Sequence, residues 1–223
     1  MSLELKPKIS LIIPAHNEEL NIAKVLDVAV KSSLIDEIIV VADACTDHTA
    51  EVAQKYGVKV VEKPTTLGKG DAMITGVNAS TGEVILFADA DLTGFKLKHI
   101  EQILKPIIAH KAVMSVGLRD RVFGLGALIP KIFPLYAIGG ERAMTKTFFD
   151  SIPKSKNTPD FGIESVMNYY IKKHRLPAAY PVLRGLHQII KEKKWGFWTG
   201  FFSRLKLIWQ ICRTRITMRL KKY

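Results

Sequence analysis

The feature that most constrains the fold is a unit that recurs in the first ninety residues: a short apolar strand, a polar loop and a helix. Residues 9–13 form the first predicted strand, and apolar residues at helical spacing follow from Ile22. A second strand is predicted at 37–41 with a helix at 49–56, and a further strand at 84–88. Because each crossover lays a helix on the sheet, the pattern predicts an α/β fold with a mostly parallel, Rossmann-like sheet and helices on both faces.

Polar loops follow three of these strands, at residues 14–19, 42–47 and 89–91. Ligands of open α/β sheets bind beyond the carboxyl ends of the strands. We therefore expect the three loops to converge on one cleft.

The periodicity is weaker after residue 92. It predicts helices at 98–110, 141–151 and 163–174 and a strand at 112–118. We predict one domain over residues 1–190, made of a first half (1–92) and a second half (93–190).

Residues 191–223 form a basic extension. The chain has a formal net charge of +12, and residues 184–223 carry 11 Lys or Arg against one Glu, or 11 − 1 = +10. Apolar residues on one face of residues 201–220 predict a basic amphipathic C-terminal helix, which favours peripheral contact with an anionic membrane or a phosphate-bearing substrate. A solvated basic helix is the alternative. Nucleic acid is not expected as a partner, because the tail has no recognised reading motif.

The chain start and the cysteines bear on localisation. The N-terminus lacks the apolar stretch of a signal peptide, and there are two cysteines, Cys45 and Cys212. The longest apolar stretches, 122–140 and 195–212, are interrupted by Lys, Arg or Pro and do not predict a membrane span. We expect a cytoplasmic protein, with membrane association at the cytoplasmic face as a further hypothesis.

Asp89 and Asp91 stand immediately after the apolar strand 84–88. Two carboxylates at the end of a buried strand need a counter-charge, and a divalent cation on a nucleotide diphosphate is a natural one. The alternative is a pair of turn or helix-capping aspartates.

Four ordered motifs within residues 9–92 resemble those of the family 2 nucleotide-sugar glycosyltransferases, which have the GT-A fold. The motifs are the strand and loop Ser10–Glu19, the strand and turn Ile39–Thr49, the element Leu67–Ala72 and the triplet Asp89–Asp91. The resemblance implies an enzyme that transfers a hexose from a UDP- or GDP-sugar and uses Mn²⁺ or Mg²⁺.

The resemblance also implies that residues 1–92 form a nucleotide-binding half and residues 93–190 an acceptor half, and it implies roles for residues of the nucleotide-binding half. The donor contacts are Pro14, Ala15 and Glu18 beside the nucleoside, Asp43 on the base, Lys69 near the nucleotide and Asp89 on the ribose or sugar. Asp91 is implied as the metal ligand. Ala42 departs from the family pattern, since many members have a first aspartate there.

The acceptor half carries further candidates. The loop around Gly140 resembles one that flanks the donor sugar, and Asp160 and Glu164 lie where the family places its catalytic base, which removes a proton from the attacking hydroxyl in an inverting transfer. For Glu164 the alternative is an exposed acid at a helix start. If neither acid reaches the acceptor, a retaining transfer, as in the similar glucosyl-phosphoglycerate synthases, is the better interpretation.

Two candidates lie near residue 185. His187 is a candidate second metal ligand, because related transferases complete the metal site with a late histidine and imidazole binds Mn²⁺. Arg184, with the lysines of 191–194, is a candidate for holding the diphosphate, and a solvated face is the alternative.

These observations favour a metal-dependent glycosyltransferase. The acceptor is expected to be lipid-linked or membrane-proximal, on the strength of residues 122–140 and the tail, or a small phosphorylated molecule. A homodimer through residues 195–209 is a further hypothesis. The alternative function is a non-catalytic nucleotide-sugar or membrane-binding module that retains the fold. The sequence does not name the donor base, the sugar or the stereochemical outcome.

Overall fold

The computed structural model describes residues 6–119, 140–153 and 162–188. In these ranges the chain forms eleven strands and six helices. The strands are β1 (Ile9–Ala15), β2 (Glu37–Asp43), β3 (Lys59–Lys63), β4 (Val84–Phe87), β5 (Leu92–Thr93), β6 (Met114–Val116), β7 (Leu118–Arg119), β8 (Arg142–Thr145), β9 (Ala178–Ala179), β10 (Val182–Leu183) and β11 (His187–Gln188). The helices are α1 (Ile22–Ala29), α2 (Thr49–Gln54), α3 (Lys69–Asn78), α4 (Leu97–Ile108), α5 (Lys146–Ser151) and α6 (Gly162–Lys173).

One seven-stranded sheet organises the described residues, in the order β3-β2-β1-β4-β8-β6-β9. β1 pairs in parallel with β2 and β4, and β2 in parallel with β3. β8 is antiparallel to both of its neighbours, β4 and β6. The predicted mostly parallel α/β fold is therefore confirmed, and the sheet continues through both predicted halves of residues 1–190.

Helices cover both faces of the sheet, as predicted. Side chains alternate along a strand, so Leu11 and Ile13 of β1 lie on one face and Ile12 on the other. The first face packs against apolar residues of α1 and α4, and the second against residues of α3 and α6. α1 illustrates the pattern, because its buried residues Ile22, Val25, Leu26 and Ala29 recur at helical spacing.

The helix predicted over 141–151 is wrong in its first half. Residues 142–145 are strand β8, and only Lys146–Ser151 is helical. Ala143 and Met144 are fully buried between β4 and β6. Two neighbouring strands hydrogen-bond this segment, and that long-range pairing overrides the local helical pattern.

Other predictions fall outside the described ranges. They are the amphipathic C-terminal helix and the extension 191–223, the dimer surface at 195–209 and nearly all of the apolar segment 122–140. Among the described residues, no helix has the length and apolarity needed to cross a membrane.

Candidate functional site

The first two polar loops are joined by hydrogen bonds at the carboxyl edge of the sheet. The backbone N–H of Glu18 donates to Thr49 Oγ1 (2.8 Å), and that of Glu19 donates to Asp47 Oδ2 (3.1 Å). In the opposite direction, the Thr46 N–H donates to Asn17 Oδ1 (2.8 Å). These bonds fix the loop after β1, which contains the predicted nucleoside contacts, against the loop after β2.

The residues predicted to border the nucleoside lie at the end of β1 and in the loop that follows it, so the strand runs two residues further than predicted. Pro14 and Ala15 are the last residues of β1 and pair with Val41 and Ala42 of β2. Glu18 is half-buried and accepts a hydrogen bond from the Asn21 amide (3.0 Å).

Asp43 ends β2 and is buried. Lys63 Nζ lies 2.7 Å from its Oδ1, and the Thr66 hydroxyl donates to its Oδ2 (2.6 Å). Lys63 also pairs with Asp71 of α3 (2.5 Å). Both oxygens of Asp43 thus have partners within the chain, so Asp43 anchors the loop before α3, and the base contact that the resemblance implies stays a prediction.

Asp89 lies at the centre of the site, just beyond β4. Lys69 Nζ, from the first residue of α3, donates to Asp89 Oδ1 (2.7 Å) and to Glu164 Oε1 of α6 (3.0 Å). Glu164 Oε2 also faces the fully buried Arg142, at 3.6 Å. Glu164 is 1% exposed, so the structure excludes the alternative of an exposed helix-start acid.

A second cation, Arg119, holds the other oxygen of Asp89. Arg119 Nη2 donates to Asp89 Oδ2 (2.8 Å), and its Nε donates to Glu141 Oε2 (2.8 Å). Burial alone would raise the pKa of Asp89, but the charges of Lys69 and Arg119 outweigh burial and hold that pKa well below its usual range. Asp89 is therefore ionised at any pH near neutrality.

Glu141 is fully buried beneath this network. Burial, with the nearby Asp89 charge, raises its pKa despite the Arg119 guanidinium. Sequence reasoning missed both Arg119 and Glu141. The only available signal was the position of Glu141 directly after Gly140, because Arg119 belongs to the weakly periodic second half.

Gly140 packs directly against Asp89, and its place beside the donor sugar stays a prediction. A Cβ at this position would overlap the Asp89 carboxylate. Only glycine allows the backbone to approach Asp89 this closely.

Asp91 is also buried, and Gln188 is one of the residues that contact it. Gln188 Nε2 donates to Asp91 Oδ1 (2.9 Å) and to Asp89 Oδ2 (3.2 Å), while its Oε1 accepts from Arg119 Nη1 (2.5 Å). The sequence analysis proposed its neighbour His187 instead. His187 is exposed and pairs with Thr93, and successive strand residues point to opposite faces, so the structure brings Gln188 rather than His187 to the aspartates.

The segment from β10 to β11, which carries Gln188, is held at several points. β10 pairs with β7 and β11 pairs with β5, the strand that directly follows Asp91. Buried His99 of α4 contacts the Arg184 carbonyl through Nε2 (3.1 Å). Arg184 itself is exposed, so its predicted diphosphate contact depends on a side chain that faces solvent in this structure.

The aspartate edge fits a divalent cation in its donor chemistry, since carboxylate oxygens are the ligands that Mg²⁺ and Mn²⁺ prefer. Asp91 is the candidate ligand, because both oxygens of Asp89 are already held by cations. No group of three or more His, Cys, Asp or Glu among the described residues is placed to hold a metal. Other ligands would come from the donor diphosphate or water, as is usual for Mg²⁺ at phosphate sites. Asp160 and the lysines of 191–194 lie outside the described ranges.

The fold agrees with the one that the sequence motifs imply, and the chain belongs to glycosyl transferase family 2, whose model matches residues 10–163. It is 28% identical over 188 residues to the glucosyl-3-phosphoglycerate synthase of Mycolicibacterium smegmatis, covering 70% of this chain and 61% of that protein. It is also 28% identical over 194 residues to the 4,4'-diaponeurosporenoate glycosyltransferase of Staphylococcus haemolyticus, covering 82% of this chain and 50% of that protein. The chain thus spans about half to three-fifths of these relatives.

A solved structure shares the fold. It is glucosyl-3-phosphoglycerate synthase from Mycobacterium tuberculosis in complex with Mn²⁺, UDP and glucosyl-3-phosphoglycerate, with a TM-score of 0.69 and 24% identity over 82% of this chain and 72% of that one. This likeness confirms the predicted GT-A fold.

Proposed function

We propose that this protein transfers a hexose, most specifically glucose, from UDP-glucose to a small phosphorylated acceptor, with Mn²⁺ or Mg²⁺ at Asp91. The observation that carries the proposal is the convergence of Asp89, Asp91, Lys69 and Gly140 at the carboxyl edge of the sheet. The relatives named glucosyl-3-phosphoglycerate synthase support the donor and acceptor class.

Each residue of the site has a proposed role that follows from its chemistry. A divalent cation held at Asp91 supplies Lewis-acid stabilisation of the leaving diphosphate. Asp89, fixed by Lys69 and Arg119, presents a carboxylate to the hydroxyls of the donor. Gly140 lets the backbone lie directly against Asp89, so that no side chain at this position displaces the carboxylate.

The contacts of Glu164 fit a positioning role better than the role of a catalytic base. A base needs a lone pair directed at the acceptor hydroxyl. The two oxygens of Glu164 instead face Lys69 and Arg142. This arrangement supports the retaining alternative, and the anomeric configuration of the product, determined by NMR, distinguishes the two outcomes.

The test is a panel of donors and acceptors with the full chain. UDP-glucose and GDP-glucose are each incubated with 3-phosphoglycerate, glycerol 3-phosphate or a polyprenyl phosphate in vesicles, with Mn²⁺ or EDTA, and nucleotide release and product mass are measured. We expect Mn²⁺-dependent UDP release that requires a small phosphorylated acceptor and is lost in Asp91→Asn. The exposed substitution Glu62→Gln is the control.

Two outcomes would replace the proposal. Transfer to the polyprenyl phosphate alone would establish the lipid-linked acceptor. Nucleotide binding by thermal shift without turnover of either donor would establish a non-catalytic binding module.

A further inference from the structure

We infer that Gln188 is a positioning residue for the metal site: its amide holds Asp91 in the orientation that a divalent cation requires. The inference rests on the proposed function, because it assumes that Asp91 binds the metal. It concerns a residue outside all four sequence motifs, 97 positions from Asp91.

Both the nitrogen and the oxygen of the Gln188 amide have hydrogen-bond partners. Its Nε2 group donates to Asp91 Oδ1 and Asp89 Oδ2, and its Oε1 accepts from Arg119. The reversed amide would place its oxygen against two carboxylates and its NH₂ group against a guanidinium. The network therefore permits one orientation of this side chain.

The Gln188 amide links the carboxylates of Asp89 and Asp91. Asp89 is itself fixed by Lys69 and Arg119 at 2.7 Å and 2.8 Å. A side chain that bonds to both Asp89 and Asp91 transfers this fixed geometry to Asp91. It also reduces the repulsion between two adjacent negative charges, which would otherwise rotate the Asp91 side chain away.

The backbone of Gln188 is fixed as well as its side chain. β11 pairs with β5, with Gln188 opposite Leu92, the residue that follows Asp91. Gly94, just after β5, lies so close to Gly185, just before β11, that a Cβ on Gly94 would overlap the Gly185 carbonyl. The chain after β5 and the chain before β11 are therefore in close contact. Both the backbone and the side chain of Gln188 are thus set relative to Asp91.

The hydrogen bond from Gln188 to Asp91 Oδ1 fixes the direction of the carboxylate that is the candidate metal ligand. Partners that orient metal ligands in this way typically contribute about 10- to 100-fold to metal affinity. Gln188→Met keeps the length of the side chain and removes the amide. We therefore expect this substitution to lower the affinity for Mn²⁺ by about 10- to 100-fold.

The experiment measures the Kd of Mn²⁺ in the presence of UDP, by the EPR signal of free Mn²⁺, together with the Tm of the metal-free protein. Gln102→Met, the same substitution at an exposed position of α4, is the matched control and should bind Mn²⁺ like the wild type. Gln188→Asn keeps an amide but shortens its reach, so it should also raise the Kd of Mn²⁺ even if Gln188→Met folds poorly.

The outcomes separate the inference from the proposed function. Wild-type protein that binds no Mn²⁺ would contradict the metal-dependent function itself. Mn²⁺ binding by the wild type with an unchanged Kd in both Gln188 variants would overturn the inference alone, even if their Tm falls, because that result indicates a merely structural role. Tighter Mn²⁺ binding in Gln188→Met would also overturn it, since the amide would then compete with the metal.

Discussion

Lys69 and Glu164 form an ion pair of 3.0 Å between the first turn of α3 and the first turn of α6, although 95 residues separate them in the sequence. The same Lys69 ammonium donates to Asp89. The pair therefore joins the predicted nucleotide-binding half to the predicted acceptor half at the predicted donor site, and it makes Lys69 the most informative residue to replace.

Lys69→Met should destabilise the fold as well as abolish transfer. It leaves the buried Asp89 and Glu164 without this counter-charge, and removing one partner of a buried pair typically costs about 3–5 kcal/mol. We expect the free energy of unfolding, measured with urea, to fall by about this amount. Lys105→Met, at an exposed site of α4, is the matched control. Equal stability of the two variants would contradict a buried role for Lys69.

Glu164→Gln separates positioning from base catalysis. If Glu164 only holds Lys69, the amide oxygen retains one hydrogen bond, and we expect a loss in kcat of about 10-fold or less with an unchanged pH profile. General-base catalysis typically contributes about 10²- to 10⁴-fold. A loss in that range, with disappearance of the acidic limb in the pH dependence of kcat/KM, would restore Glu164 as the base.

Gly140→Ala should weaken donor binding by displacing Asp89. The added Cβ overlaps the Asp89 carboxylate, which is held by Lys69 and Arg119 and has little room to retreat. We expect the Kd of UDP-glucose, measured by calorimetry, to rise at least about 10-fold, since 1.4 kcal/mol of strain is enough for that change. Gly57→Ala is the control, because its Cβ meets open space and only its positive φ of 68° adds strain. Its stability should fall, but its donor affinity should not.

His99 should make the stability of the fold depend on pH. Burial lowers the pKa of His99 from its usual value near 6.5. In the window between the folded pKa and about 6.5 the unfolded chain binds more protons than the folded chain, so the free energy of unfolding falls as the pH decreases through this window. Urea unfolding at pH 7.5 and 5.5 measures the slope, which should be smaller in His99→Gln. An identical pH dependence in the variant would show that other groups cause it.

Asp47→Ala tests the bonds that join the first two loops. Asp47 accepts hydrogen bonds from the Glu19 and Thr49 N–H groups and from the Thr49 hydroxyl. Hydrogen bonds to charged groups contribute about 1.5–3 kcal/mol, so we expect a loss of stability in that range together with weaker binding of UDP. Glu62→Ala, at an exposed position of β3, is the comparison. Wild-type UDP affinity in Asp47→Ala would show that the loops hold their positions without this residue.

Much of the fold could be predicted from local patterns. The alternation of apolar strands and helices in residues 9–88 reports burial on both faces of a parallel sheet, and the structure confirms it. The exception was β8, where a segment that looks helical by itself becomes a strand because β4 and β6 pair with it on both sides. Pairing partners distant in the sequence leave no mark on local periodicity.

In the candidate site, too, some residues could be predicted from the sequence and others could not. Local patterns in the sequence predicted Asp89, Asp91 and the loops after β1 and β2, because these follow strand ends, and the family resemblance added Lys69. Only the tertiary structure assigned Arg119, Glu141 and Gln188 to Asp89, across 30 residues for Arg119 and 99 for Gln188. A buried carboxylate must find charged or polar partners, but which ones it finds depends on how distant segments pack, and this packing is a property of the whole fold.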